Sequence, residues 1–261
     1  MKKFVCVSAI AIGLLMNLNL GSVFAKPMAS YPTDPTANIA WSGGMSTVAD
    51  IQVAFNNARA QENAQLGKNI PSMVLPSQAT WNAMSDGDKA FWLSNRERID
   101  RGVLAMHSTE ANVTSVAQYY ADYLLSHNVF SHDADGRTPG QRLYANATSN
   151  ACHDGLWTEN IAAFMTSGNS IPLPIERSVY AFMYVDSGSS WGHRHNILAY
   201  PYNDNSGPAG KEGFMGIGRA GGPYQGWNYG VVIVMDTFDP CAVWNYGSSD
   251  NYKVYLPLIV R

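Results

Sequence analysis

The spacing of apolar positions predicts a chain that is mostly helical in its first two thirds and β-rich towards its end. Val48, Ile51, Val53-Ala54-Phe55 and Ala58 recur near the helical period, and Gly67 closes the run, so a helix is expected over 48–66. Ser85 followed by Asp88 forms a capping-box pattern. Behind it Ala90, Phe91, Leu93 and Ile99 make an apolar stripe, with Arg96, Glu97, Arg98 and Arg101 between them and Gly102 as the expected stop. A third helix is expected over 114–128, where Val116, Tyr119, Tyr120, Tyr123 and Leu124 share one face. Pro139 opens a short helix reaching Leu143, and a further helical stretch runs from Pro174 to about Val185. Two strands are expected, Gly213 to Arg219 and Gly230 to Phe238, joined as an antiparallel hairpin through a long loop around Gly221-Gly222-Pro223. Helices first and a hairpin last, without βαβ alternation, predict an α+β fold in which helices cover a small antiparallel sheet.

The ends of the chain read differently. Lys2 and Lys3 precede an apolar run to about Leu20, and Val23-Phe24-Ala25 has the small-residue character of a cleavage site. Residues 1–25 are therefore expected to be a signal peptide and the protein to be secreted or extracytoplasmic. The expected organisation is an N-terminal extension with one helix over 26–80, a main domain over 81–241, and a linker with an apolar tail over 242–261. That tail is too short to span a membrane, so no transmembrane segment is expected after signal cleavage. The formal charge of −3 becomes about −5 without the two leader lysines, and no lysine/arginine cluster occurs, which argues against nucleic-acid binding. Cys152 and Cys241 are the cysteines outside the leader. In an exported chain such a pair is most simply a disulfide, with two free buried thiols as the alternative.

Two familiar patterns lack the context that their chemistry needs. Gly188-Ser189-Ser190-Trp191-Gly192 matches GxSxG, but a helix and not a strand is expected to enter it. Gly216-Ile217-Gly218-Arg219-Ala220-Gly221 matches GxGxxG without a strand-to-helix junction or a following ribose-binding acid.

The densest polar chemistry lies in Trp191-Gly192-His193-Arg194-His195-Asn196, and two earlier stretches complement it: Phe130-Ser131-His132-Asp133 and Thr158-Glu159-Asn160-Ile161-Ala162. His132, Glu159 and His193 are expected to converge in one cleft. Two neutral imidazoles can hold a divalent ion, and the nearby acids, Glu159 and Asp186, can orient them. His195 is read as a surface residue in preference to an extra ligand.

Taken in order, Asn95-Arg96-Glu97-Arg98, Phe130-Ser131-His132 with Asp135-Gly136, Glu159-Asn160-Ile161-Ala162 and Gly192-His193-Arg194 resemble the CAP superfamily (cysteine-rich secretory, antigen 5 and pathogenesis-related proteins), in its bacterial secreted branch. The resemblance covers roughly residues 85–240. It implies an α-β-α sandwich with a central antiparallel sheet and a cleft carrying two histidines and two acids. His132, His193 and Glu159 match by motif. The second acid is normally a glutamate after a tryptophan-containing helix; here Asp186 is the candidate and Glu176 the second choice. The resemblance also implies zinc as the ion, and a lipid, sterol or other extracellular ligand as the partner. The expected function is that of a binding module, not an enzyme. The alternative is a metal-assisted hydrolase of a peptide or cell-surface substrate, in which Glu159, His132 and His193 would be catalytic.

Overall fold

The structure, a computed structural model, describes residues 34–36, 44–146, 156–198 and 212–239. The expected signal peptide, Cys152 and Cys241, and the apolar tail lie outside the described residues. The chain folds as α1 (Val48–Leu66), α2 (Gln78–Ala83), α3 (Asp86–Ile99), β1 (Met106–Thr109), α4 (Ala111–Ser126), α5 (Pro139–Ala145), β2 (Leu156–Thr166), α6 (Pro174–Tyr184), α7 (Gly192–Ile197), β3 (Glu212–Tyr224) and β4 (Trp227–Asp239). The fold is α+β, with one four-stranded sheet in the order β1-β3-β4-β2. The three long strands β3, β4 and β2 are antiparallel, and the short β1 adds parallel to β3.

Local chemistry explains the ends of the helices. Thr47 and Asp50 close a capping box at α1, and Gly67 ends it in the left-handed region at φ 60°. Ser85 and Asp88 do the same at α3, as do Thr138 and Gln141 at α5, with Pro139 in the first turn. Helix α3 stops at Ile99, before the expected Gly102. The Asp100 amide turns back to the Arg96 carbonyl, and Gly102, at φ 75°, bonds the Ile99 carbonyl one turn later.

The β3–β4 connection is tighter than expected. Strand β3 runs on to Tyr224 and the turn is Gln225-Gly226, both with positive φ, as a two-residue hairpin turn requires. A register irregularity between Gly222 and Tyr224 accommodates Pro223, which has no amide to give to the ladder. The Gln225 amide is satisfied by Asn128 Oδ1 at 2.5 Å.

The sheet is the middle layer of an α-β-α sandwich. On one face α4 lies so close that Gly216 and Gly218 have no room for a Cβ: built there, it would come within 2.3 Å of the Val113 carbonyl carbon and 2.2 Å of the Ala117 carbonyl oxygen. This contact accounts for the first two glycines of the GxGxxG pattern, which admit a helix backbone and not a pyrophosphate, while Gly221 makes room for the Tyr229 hydroxyl. On the other face one continuous core joins Ile51, Phe55 and Ala58 of α1 to Leu93 of α3, Val179 and Met183 of α6, and Val231 and Ile233 of β4. Helix α1 is thus part of the main body, and the boundary expected at 80/81 falls inside α2. Glu176, the second-choice acid, is buried there and accepts the Trp81 indole N–H at 2.7 Å.

Strand β2 forms one side of the sheet. Because side chains alternate along a strand, Trp157 and Glu159 face the α4 layer while Thr158 and Asn160 face the α6–α7 layer. Both helical layers therefore reach the outer edge of β2, which is an edge strand among the described residues.

Candidate functional site

The two expected histidines each meet a carboxylate, and they do so from opposite faces of the sheet. His132 lies in the connection between α4 and α5, and its Nδ1 is 2.7 Å from Glu159 Oε1. His193 is in the first turn of α7, and its Nδ1 is 2.6 Å from Asp186 Oδ1. His132, Glu159 and His193 line one cleft of about 510 Å³, together with Pro139, Trp157, Thr158, Ser189, Ser190, Gly192 and Asn196. The cleft straddles the edge of β2. Side chains of His132 and His193 remain 22% and 21% exposed, whereas both acids are buried.

Each acid is held on its second oxygen. Glu159 Oε2 accepts from the Arg142 guanidinium at 2.7 Å. Arg142 also binds Asp135 Oδ1 and the His132 carbonyl, each at 2.9 Å, and lies 3.4 Å above the Tyr120 ring. The Tyr120 hydroxyl donates to the Ser131 carbonyl at 2.5 Å and accepts from the Ala134 amide at 3.0 Å. Burial pushes that hydroxyl up to about 12, so it stays a donor across the physiological range. The loop carrying His132 is thus fastened from both sides. Asp186 Oδ2 accepts the Arg194 amide at 3.0 Å, and its carbonyl accepts the amides of Ser189 and Trp191. The Phe182 ring stacks on His193 at 5.1 Å.

Two asparagines join the halves. Asn160 Nδ2 donates to the His193 carbonyl at 3.0 Å, and Asn196 Nδ2 donates to Asn160 Oδ1 at 2.7 Å. Helix α7 is also tied to the N-terminal extension. Arg194 reaches Glu62 of α1 at 2.5 Å, and His195 Nε2 lies 3.1 Å from Asp34. His195 is partly exposed and bound to that acid, in keeping with a role outside the cleft.

A carboxylate acceptor at Nδ1 requires that nitrogen to carry the proton, which leaves the Nε2 lone pair of each neutral imidazole for a ligand. This is the arrangement that orients metal-binding histidines. Among the described residues no group of three or more His, Cys, Asp or Glu side chains is arranged to hold a metal.

The GxSxG segment is entered from α6 and a short 3₁₀ turn, Ser187–Ser189, as its sequence context implies. Ser190 and Trp191 adopt φ 53° and 62°, two consecutive left-handed non-glycine residues beside His193. They turn the chain sharply enough to bring the start of α7 to the cleft.

Arg142 and Asp236 both escaped sequence reasoning. Asp236 on β4 pairs in register with Glu159 and is fully buried. Neither of its oxygens meets a donor among the described residues. Burial, and then the charge of Glu159, push its carboxyl well above the ordinary range, with Arg142 offsetting part of this. The available signal was a carboxyl inside the apolar run Val231 to Phe238. A raised folded-state value means that the native protein binds this proton more tightly than the unfolded chain. The associated stability is present near pH 4 and is lost as pH rises through the raised value. Asp236→Asn keeps a donor and removes the titration. Its stability relative to wild type is expected to improve steadily from pH 4 to pH 8 in urea unfolding; a difference that does not change with pH would contradict a buried neutral acid.

No family model matches the chain, and no curated protein matches it. Among solved structures the chain is similar to an outer surface protein from Borrelia burgdorferi, at 18% identity over 59% of this chain and 92% of that chain, with a TM-score of 0.39.

Proposed function

We propose that the chain is an extracytoplasmic binding protein of the CAP superfamily whose cleft takes a divalent ion, zinc in the first instance, on Nε2 of His132 and His193. The observation that carries this reading is the pair of His–carboxylate contacts, 2.7 and 2.6 Å long, lining a single cleft. Glu159 and Asp186 hold the rings in the tautomer that exposes Nε2; Arg142 and the Arg194 amide hold the acids. A bound ion would offer a Lewis-acidic centre with open positions for an extracellular ligand. The hydrolase reading gains no support from the geometry. Glu159, the candidate base, has both oxygens engaged by His132 and Arg142. Among the described residues no helix is long and apolar enough to cross a membrane, which is compatible with an exported domain.

Calorimetric zinc titration tests the reading. The wild type is expected to bind one ion per chain at pH 7.5 and to bind it more weakly at pH 5.5, where protons compete for imidazole. His132→Ala/His193→Ala is expected to abolish binding. Absence of binding at pH 7.5, or equal binding by the double variant, would remove the metal from the account.

A further inference from the structure

We infer that the cleft takes an uncharged oligosaccharide, with the indole of Trp157 as its stacking face; this rests on the binding-module reading above. Trp157 is 38% exposed, whereas Trp81 and Trp92 are buried in the core. It precedes Glu159 by two residues on the same face of β2, so the ring stands beside the His132–Glu159 pair on the cleft wall. Its position is braced. The indole lies against Gly140 at the start of α5, where a Cβ would meet indole Nε1 and Cε2 at 2.6 Å. The missing side chain is what lets the ring lie down on α5, and Pro139 extends the apolar surface beside it.

The rest of the lining decides the ligand class. Thr158, Ser190 and Asn196 offer neutral hydrogen-bonding groups, and none of the described lining residues is a lysine or arginine. Arg142 is buried behind Glu159 and committed to it. Among the described residues of the wall an anionic ligand would find no lysine or arginine, and an acyl chain or sterol would find one apolar wall where it needs an enclosure. A sugar ring has an apolar C–H face and a rim of hydroxyls. It matches a single aromatic plate set beside neutral polar groups.

Calorimetry in the presence of a chelator, with the N-acetylglucosamine tetramer, cellotetraose and maltotetraose, tests this directly. At least one is expected to bind the wild type. Trp157→Ala is expected to weaken that binding about tenfold, the loss of one aromatic stacking contact, while Trp157→Phe keeps most of it. Trp157→Ala should keep the wild-type far-UV circular dichroism spectrum and a cooperative melting transition, which shows that the variant is folded. If none of the three sugars binds, or if Trp157→Ala binds them as the wild type does, the inference is overturned. The zinc titration stands apart from both results, so the metal reading survives or fails on its own.

Discussion

Glu97→Ala is expected to destabilise the protein by about 3–5 kcal/mol, because it removes the shared acid of a buried charge network. Glu97 is fully buried on α3 and accepts from three groups: Arg59 Nε at 3.4 Å, the Arg101 guanidinium and the Tyr184 hydroxyl at 2.9 Å. Arg101 also binds Glu62 at 2.6 Å, and Glu62 binds Arg194 at 2.5 Å. The chain of contacts thus runs from α3 through α1 to the helix that carries His193. Without Glu97, Arg59 and Arg101 face each other across a dry space with less than their full complement of acceptors. At about 2–4 °C per kcal/mol for a domain of this size, the melting temperature should fall by roughly 10 °C. Burial works against the charge on Glu97, but Arg59 and Arg101 outweigh it and hold the carboxyl below its usual range. A depressed folded-state value gives stability that is present above about pH 4.3 and is lost as pH falls through the depressed value. Glu97→Gln should therefore cost less than Glu97→Ala and flatten the acid limb of the stability curve. A loss below about 1 kcal/mol for Glu97→Ala in urea unfolding would show that the network is not a stabilising unit.

Gly218→Ala is the second large effect. The added methyl would sit 2.2 Å from the Ala117 carbonyl oxygen and 2.4 Å from the Gln118 amide nitrogen, all helix backbone that no rotamer change can move. Helix α4 must lift from the sheet, at a cost of about 1–3 kcal/mol or more. Since α4 carries Tyr120, which fastens the His132 loop, the damage should extend to His132 and spare the contact between His193 and Asp186. Gly222→Ala is the control: its methyl would meet only Leu125 Cδ2, at an ordinary 3.6 Å. Equal stabilities of the Gly218 and Gly222 variants in urea unfolding would contradict the close approach of α4.

The helices were legible wherever a cap and an apolar stripe agreed. Helix α1 matches its expected span, and the Ser85–Asp88 box begins α3 as its sequence implies. Strand β2 gave no strand pattern because Thr158, Glu159 and Asn160 are consecutive polar residues: one pairs with Thr237, one with His132, and one with the His193 carbonyl. A strand that serves a site on both faces loses the alternation by which strands are recognised. Helix α7 was equally hidden, since a six-residue helix opening with glycine and holding two histidines has no propensity signal. His132, Glu159, Asp186 and His193 could be nominated from motif order. Arg142, Asn160, Asn196 and Asp236 could not, because their roles depend on cross-strand register and on the packing of α5 and α7 over an edge that the sequence does not mark.

In the proposed site, imidazoles from two different layers of the sandwich share one ion across the edge of β2. Long-range ¹H–¹⁵N spectra of the histidine rings, recorded during zinc addition at pH 7.5, test it most directly. Nε2 of His132 and of His193 are expected to shift together, with one stoichiometric end point, while both Nδ1 remain protonated and bound to Glu159 and Asp186. Zinc that moves one ring without the other, or that engages Nδ1 in place of Nε2, would contradict it.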